Sequence, residues 1–187
     1  MACYSLTFHT CLYVHQHVCT CSNVNVFSFY NSECSANSAE ALIEQLPDSS
    51  LTSSSQWSTN VAPTQSRLHS TAAWAPGSGN SPWIQADLGQ EKIILKIATQ
   101  GRPSDNPWNI VQFTTSYMIA YSADDNDVFE FLLNSDESQR IFAANIDTDT
   151  VIENCIVGGF EARKVRLYPL KSFGGQLVRW ELYGINP

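Results

Sequence analysis

Outside the first thirty residues the chain holds one histidine, His69, so histidine-based acid–base catalysis would rest on a single side chain. A surface or strand-end histidine is the simpler reading. Carboxylates cluster at Asp124, Asp125 and Asp127 and again at Asp147 and Asp149, a donor type that suits calcium. The first run fails the EF-hand register, because a loop starting at Asp125 puts Phe129 at the fifth ligand position. Both runs are therefore expected as solvated turns between strands. No cofactor is expected; calcium is compatible with these acids, but no motif demands it.

Other catalytic signatures are missing. There is no Gly-x-Ser-x-Gly elbow, no His-Glu-x-x-His and no phosphate-cradling loop. Gly77-Ser78-Gly79 lies between prolines with no third glycine and no following helix, so it reads as a turn. Four of the six cysteines, Cys3, Cys11, Cys19 and Cys21, crowd the N-terminus, and Cys34 and Cys155 follow. Cys19-Thr20-Cys21 lacks the gap of a zinc finger, and no second ligand pair stands at finger-like spacing. Without a nucleophile, base or metal set, an enzyme is not expected.

Ten basic against eighteen acidic residues give a net charge of −8, which argues against diffuse attraction to nucleic acid or strongly anionic membranes. No apolar stretch is long enough for a spanning helix. Residues 1–33 hold a single charged residue and no sustained period, and are read as a leader preceding one domain at 34–187. The leader makes a poor secretory signal, and no Asn-x-Ser/Thr acceptor occurs.

From Cys34 onward short β-type runs alternate with Gly, Pro, Asn, Asp and Ser clusters. Between Lys92 and Gln100, Ile93, Leu95 and Ile97 are expected on one strand face and Lys92, Lys96 and Ala98 on the other. Alternation recurs at Tyr117–Tyr121, around Val165 and Leu167, and around Val178, Trp180 and Leu182. Four further candidates, 83–88, 129–132, 140–142 and 151–156, bring the total to about eight strands, the pattern of an antiparallel sandwich or jelly roll. A helical turn is expected at 38–46, stopped by Pro47, and a loop or edge at 51–60.

Several runs form an ordered series: Trp83-Ile84-Gln85-Ala86-Asp87-Leu88-Gly89, Ile97-Ala98-Thr99-Gln100-Gly101-Arg102 and Phe113-Thr114-Thr115-Ser116-Tyr117. After Tyr121-Ser122-Ala123-Asp124 come Phe142-Ala143-Ala144-Asn145-Ile146-Asp147, Ala162-Arg163-Lys164-Val165-Arg166-Leu167-Tyr168-Pro169 and Arg179-Trp180-Glu181-Leu182-Tyr183-Gly184. Together, over roughly Cys34 to Gly184, they resemble the discoidin family, also called the coagulation factor 5/8 type C domain. The resemblance implies an all-β, eight-stranded, galactose-binding-like jelly-roll sandwich whose loops at one end bind a ligand.

Two departures stand out. The family joins a cysteine at its start to one at its end. Cys34 holds the first place, but Ile185 follows Gly184 where the partner is expected. Such a bridge contributes about 2–4 kcal/mol, so either the core compensates or Cys34 pairs with another thiol such as Cys155. Phe113 stands where a tryptophan is common, and Trp108 lies upstream in the same loop.

The same resemblance places an exposed tip at Gln56-Trp57-Ser58, with Asn60 beside it. Trp57 is the first-choice contact, since an indole can stack on a sugar, enter a lipid interface or fill a protein pocket; a core role for it is equally open. Arg102 opens a proline-stiffened loop holding Asn106 and Trp108, a second contact patch, though Arg102 could instead bond loop carbonyls. Ser78 to Ser81 offer a third loop. Gln85 and Asp87 are expected to be buried and paired near Arg166 or Arg179. The expected function is extracellular recognition of glycans or of cell-surface and matrix proteins, of cell-adhesion type. Alternatives are a phospholipid-binding domain of coagulation type, an accessory domain of a carbohydrate-active enzyme, and a structural spacer.

Overall fold

β-Branched and aromatic residues at period two, broken by Gly, Pro and Asp turns, leave this chain little helix to form. A computed structural model describes residues 39–106 and 109–187; the leader, Cys34, Pro107 and Trp108 lie outside the described residues. Eight strands are present: β1 (Glu40–Ala41), β2 (Leu51–Ser53), β3 (Ile84–Gln100), β4 (Phe113–Ser122), β5 (Glu130–Phe131), β6 (Phe142–Ala143), β7 (Ile152–Phe173) and β8 (Arg179–Ile185). Short 3-10 turns at Asp48–Ser50, Thr59–Val61 and Pro63–Gln65 complete the description.

All pairings are antiparallel, in the order β1-β8-β3-β7-β4-β5, with β2 on β3 and β6 on β4. The long β3 and β7 serve both layers of the sandwich. Their mutual ladder is interrupted between Asp87 and Lys92. Before the break β3 pairs with β2, and after it with β8. Side chains from both sides of the break, Ile84 and Ala86 with Ile94 and Ile97, meet Tyr117, Leu167 and Trp180 in one buried core. Burial of each large apolar side chain contributes about 1.5–3 kcal/mol, so these few positions dominate stability.

Two expectations are corrected. The buried residues of the 92–100 run are Ile94 and the four from Ile97 to Gln100, including Ala98, which was expected on the other face, while Ile93 and Leu95 are only half-buried. A register shift between Ile94 and Lys96 breaks the simple alternation: against β8 Leu95 is an extra residue on β3, and against β7 the ladder jumps from Phe160 to Cys155. The second correction concerns 38–46, whose described part is an edge strand, bends and a single turn closed by Leu46 N–H on Ile43 O at 3.1 Å rather than a helical turn over the whole segment. Leu42 donates its N–H to Leu182 O at 2.9 Å, and the buried Glu181 carboxylate accepts the N–H groups of Ile43 and Glu44. Those donors are spent on β8, so no helical ladder forms. Burial pushes the Glu181 carboxyl above its ordinary range, against the opposing pull of these backbone donors.

Candidate functional site

The loops at one end converge on the start of β8. Arg179 is 4% exposed, and its guanidinium donates to Gly101 O at 2.7 Å, Ser70 O at 2.9 Å and Thr148 O at 3.0 Å. It also reaches Asp149 Oδ1 at 3.2 Å. A planar fork with five donors can serve diverging carbonyls that a lysine could not. One buried cation thereby holds the roots of three loops. Burial draws the Arg179 pKa below its usual value, while for Asp149 the same effect is outweighed by hydrogen bonds from Ser104, Thr148 and Arg179, which hold it low.

The loop carrying Gln56, Trp57 and Ser58 rests on the segment 73–77. Buried Trp74 donates Nε1–H to Ser55 O at 3.0 Å, and Trp57 N donates to Ala75 O at 3.0 Å. Gly77 lies so close to this loop that a Cβ there would meet Gln56 O at 2.8 Å. The tryptophan buried beneath this loop is thus Trp74, and Trp57 projects into solvent, 78% exposed. Gln56, Ser58 and Asn60 are exposed beside it.

The next loop begins at Gly101, whose N–H donates to Thr148 O at 2.9 Å. Arg102 Nη1 donates to Gln112 Oε1 at 2.7 Å, and the Gln112 amide nitrogen donates to Gly174 O at 3.0 Å. Asn106 spends its amide within its own loop, donating to Pro103 O and Ile110 O and accepting from Ile110 N. This side chain shapes the loop by replacing backbone partners.

Two adjoining clefts open between these loops, of about 480 and 370 Å³. They share a wall of Trp57, Val61, Arg102 and Ile110. The first runs toward Gly77, Gln112 and Gln176, and the second toward Ser58, Asn60, Thr71 and Asn106. Five expected residues, Trp57, Ser58, Asn60, Arg102 and Asn106, therefore line one region, whereas Gln56 lines neither cleft. Trp108 lies outside the described residues. Ser78 to Ser81 line neither cleft; Pro76 and Gly77 line the first. Gln112, Gln176 and Ile110 were not expected. A lone polar residue ahead of β4 was the available signal for Gln112, and nothing in the sequence marks Gln176.

Several charged residues elsewhere have protein partners. Lys164 meets Asp125 at 2.8 Å and Asp127 at 2.9 Å, and Arg163 meets Asp87 at 3.2 Å. The guanidinium of Arg166 lies between the rings of Trp83 and Phe129, at 4.0 and 3.6 Å, while its Nε bonds Gln85 at 2.8 Å. Gln85 is buried and paired with Arg166 as expected, whereas Asp87 is half-buried and pairs with Arg163 rather than with Arg166 or Arg179. His69 is exposed in a turn at φ 64°, its N–H held by Gln100. Asp147 accepts from the Asp149 and Thr150 backbones and from the Thr150 hydroxyl. Cys155 is disulfide-bonded and is the one cysteine among the described residues, so its partner lies outside them.

Comparison with known proteins places this geometry. The family model of the F5/8 type C domain matches residues 50–182. Mouse coagulation factor V is 35% identical over 103 residues, which is 55% of this chain and 5% of that protein. Three further curated relatives are spanned over no more than 23% of their length. Among solved structures, discoidin II of Dictyostelium discoideum superposes with a TM-score of 0.67 at 21% identity, over 80% of this chain and 59% of that one. A family 32 carbohydrate-binding module of Clostridium perfringens NanJ, solved with galactose, gives 0.56 at 16% identity, over 78% and 98%.

Proposed function

Because this chain belongs to the F5/8 type C, or discoidin, domain family, we propose that it is a non-catalytic recognition module that binds a cell-surface or matrix glycan at its loop end. One observation carries the proposal: the exposed Trp57 indole forms a wall shared by two clefts in which Arg102, the amides of Asn60 and Gln176 and the hydroxyls of Ser58 and Thr71 stand among apolar residues. An apolar ring face beside convergent hydrogen-bonding groups suits a sugar, whose faces are apolar and whose rim is hydroxylated. The galactose complex of the carbohydrate-binding module with the same fold supports this reading by analogy. Cell adhesion, or service beside a carbohydrate-active enzyme, would be its use in a longer protein. A disulfide on Cys155 favours an extracellular address.

Glycan-array screening followed by calorimetry tests the proposal. Wild-type protein should bind, and Trp57→Ala, Arg102→Ala and Trp108→Ala should weaken binding. Absence of binding to any glycan, or unchanged affinity in all three variants, refutes it.

A second reading, insertion into a phospholipid surface, is favoured by the exposure of Ile110 and Val111 beside Trp57 at the loop end. The net charge of −8 opposes attraction to anionic lipid. Sedimentation with neutral and anionic liposomes separates the two.

A further inference from the structure

Resting on the glycan reading above, we infer that the site takes a neutral oligosaccharide across Trp57, with one sugar unit in each cleft, rather than a single terminal sugar. The clefts are separate beyond their common wall. One is completed by the 75–77 and 175–177 segments and the other by 58–60 and 71–73. Each, at about 480 and 370 Å³, lies within the size range of a small-ligand site, roughly 300–1,000 Å³. A monosaccharide filling one cleft leaves the other, and its side of the Trp57 wall, in water. A chain passing over the indole occupies both and gains the second set of contacts without a second loss of translational freedom.

The lining also selects for charge. Among the described residues neither cleft is lined by a carboxylate, and Arg102 is the one cation in either. The other polar groups are neutral: Gln112 and Gln176 on one side, Ser58, Asn60, Thr71 and Asn106 on the other. Gln112 and Asn106 already bond protein partners through both ends of their amides, so Gln176, Ser58, Asn60 and Thr71 are the groups that face a sugar. Amides and hydroxyls both donate and accept, matching sugar hydroxyls, whereas a polyanion calls for several clustered cations. The protein's net charge of −8 adds a general repulsion toward acidic glycans.

Each cleft has a side chain whose removal tests it separately, Gln176 in the first and Asn60 in the second; neither belongs to the core. Calorimetry would compare galactose, glucose and N-acetylglucosamine with lactose, cellobiose and chitobiose, and lactose with 3′-sialyllactose, after an array screen of the wild type. A neutral disaccharide should bind on the order of tenfold tighter than its monosaccharide. Gln176→Ala and Asn60→Ala should each erase most of that gain; Asn60→Ala should leave the unfolding midpoint unchanged, and Gln176→Ala, which also gives up the bond to Pro169 O, should lower it only slightly. Equal affinity for a monosaccharide and its disaccharide, indifference of disaccharide binding to either variant, or preference for the sialylated sugar overturns the inference while the glycan reading stands. Failure to bind any glycan on the array removes both.

Discussion

Gln112 holds the Arg102 guanidinium at 2.7 Å with its carbonyl oxygen while its amide nitrogen holds Gly174 O at 3.0 Å. One side chain thus couples a cation of the cleft wall to a turn more than sixty residues away in sequence. Only an amide can accept on one prong and donate on the other. Gln112→Ala should therefore cost about 1 kcal/mol in stability and weaken glycan binding about fivefold. Gln112→Glu keeps the contact to Arg102 but turns an acceptor on Gly174 O, and should disturb the 173–177 turn. Urea unfolding and calorimetry read the two effects separately.

Arg179 is the larger structural determinant of the same region. Its replacement by methionine strands the carbonyls of Gly101, Ser70 and Thr148, and should destabilise the domain by about 3–5 kcal/mol. Arg179→Lys should recover only part of this, because a single ammonium cannot span the diverging acceptors. Denaturant midpoints of the two variants give the comparison.

Acid should loosen the 101–106 loop before it unfolds the core. Asp149 has a folded pKa below its ordinary 3.8, because hydrogen bonds from Ser104, Thr148 and Arg179 outweigh its burial. Its contribution is complete above about pH 3.8 and is lost as pH falls through the lower folded value. Asp147 and Asp125 are shifted in the same direction. Hydrogen exchange at Ser104 should quicken in that window for the wild type, and Asp149→Asn should show fast exchange at all pH values.

Gly101 has no room for a side chain. A Cβ there would sit 2.6 Å from Phe113 Cβ and 2.9 Å from Gln112 O, so Gly101→Ala should push β4 and the loop apart at about 1–3 kcal/mol. Thermal unfolding of the variant measures the loss, and a shift in its ligand affinity reports the displaced Arg102.

Cys155 should resist alkylation in the native oxidised protein and react after reduction, because it is disulfide-bonded. Peptide mapping under non-reducing conditions identifies the partner among the five N-terminal cysteines, of which Cys34 is the candidate named from the sequence. Recovery of a freely reactive Cys155 from unreduced protein refutes the bridge.

Much of this was legible in the sequence because its signal is local. Period-two apolar runs and turn residues specify strands one at a time, and the ordered motif series specified the sandwich. Trp57, Ser58, Asn60, Arg102 and Asn106 could be proposed as neighbours on the strength of family resemblance alone. Their chain separations carry no distance information.

Only the tertiary structure decided the rest, since burial and partnership depend on segments far apart in the chain. Trp57 and Trp74 are the same residue type, yet the 73–77 segment packs Trp74 inside and leaves Trp57 78% exposed. The bulge between Ile94 and Lys96 needs two neighbouring strands to define it, so simple alternation put Ile93 and Leu95 on the core face. Residues 40–44 lost their helical tendency to Glu181, 137 and 138 positions later. Local chemistry set the strands and turns; long-range hydrogen bonding, above all at Arg179 and Gln112, assembled the loops into a site.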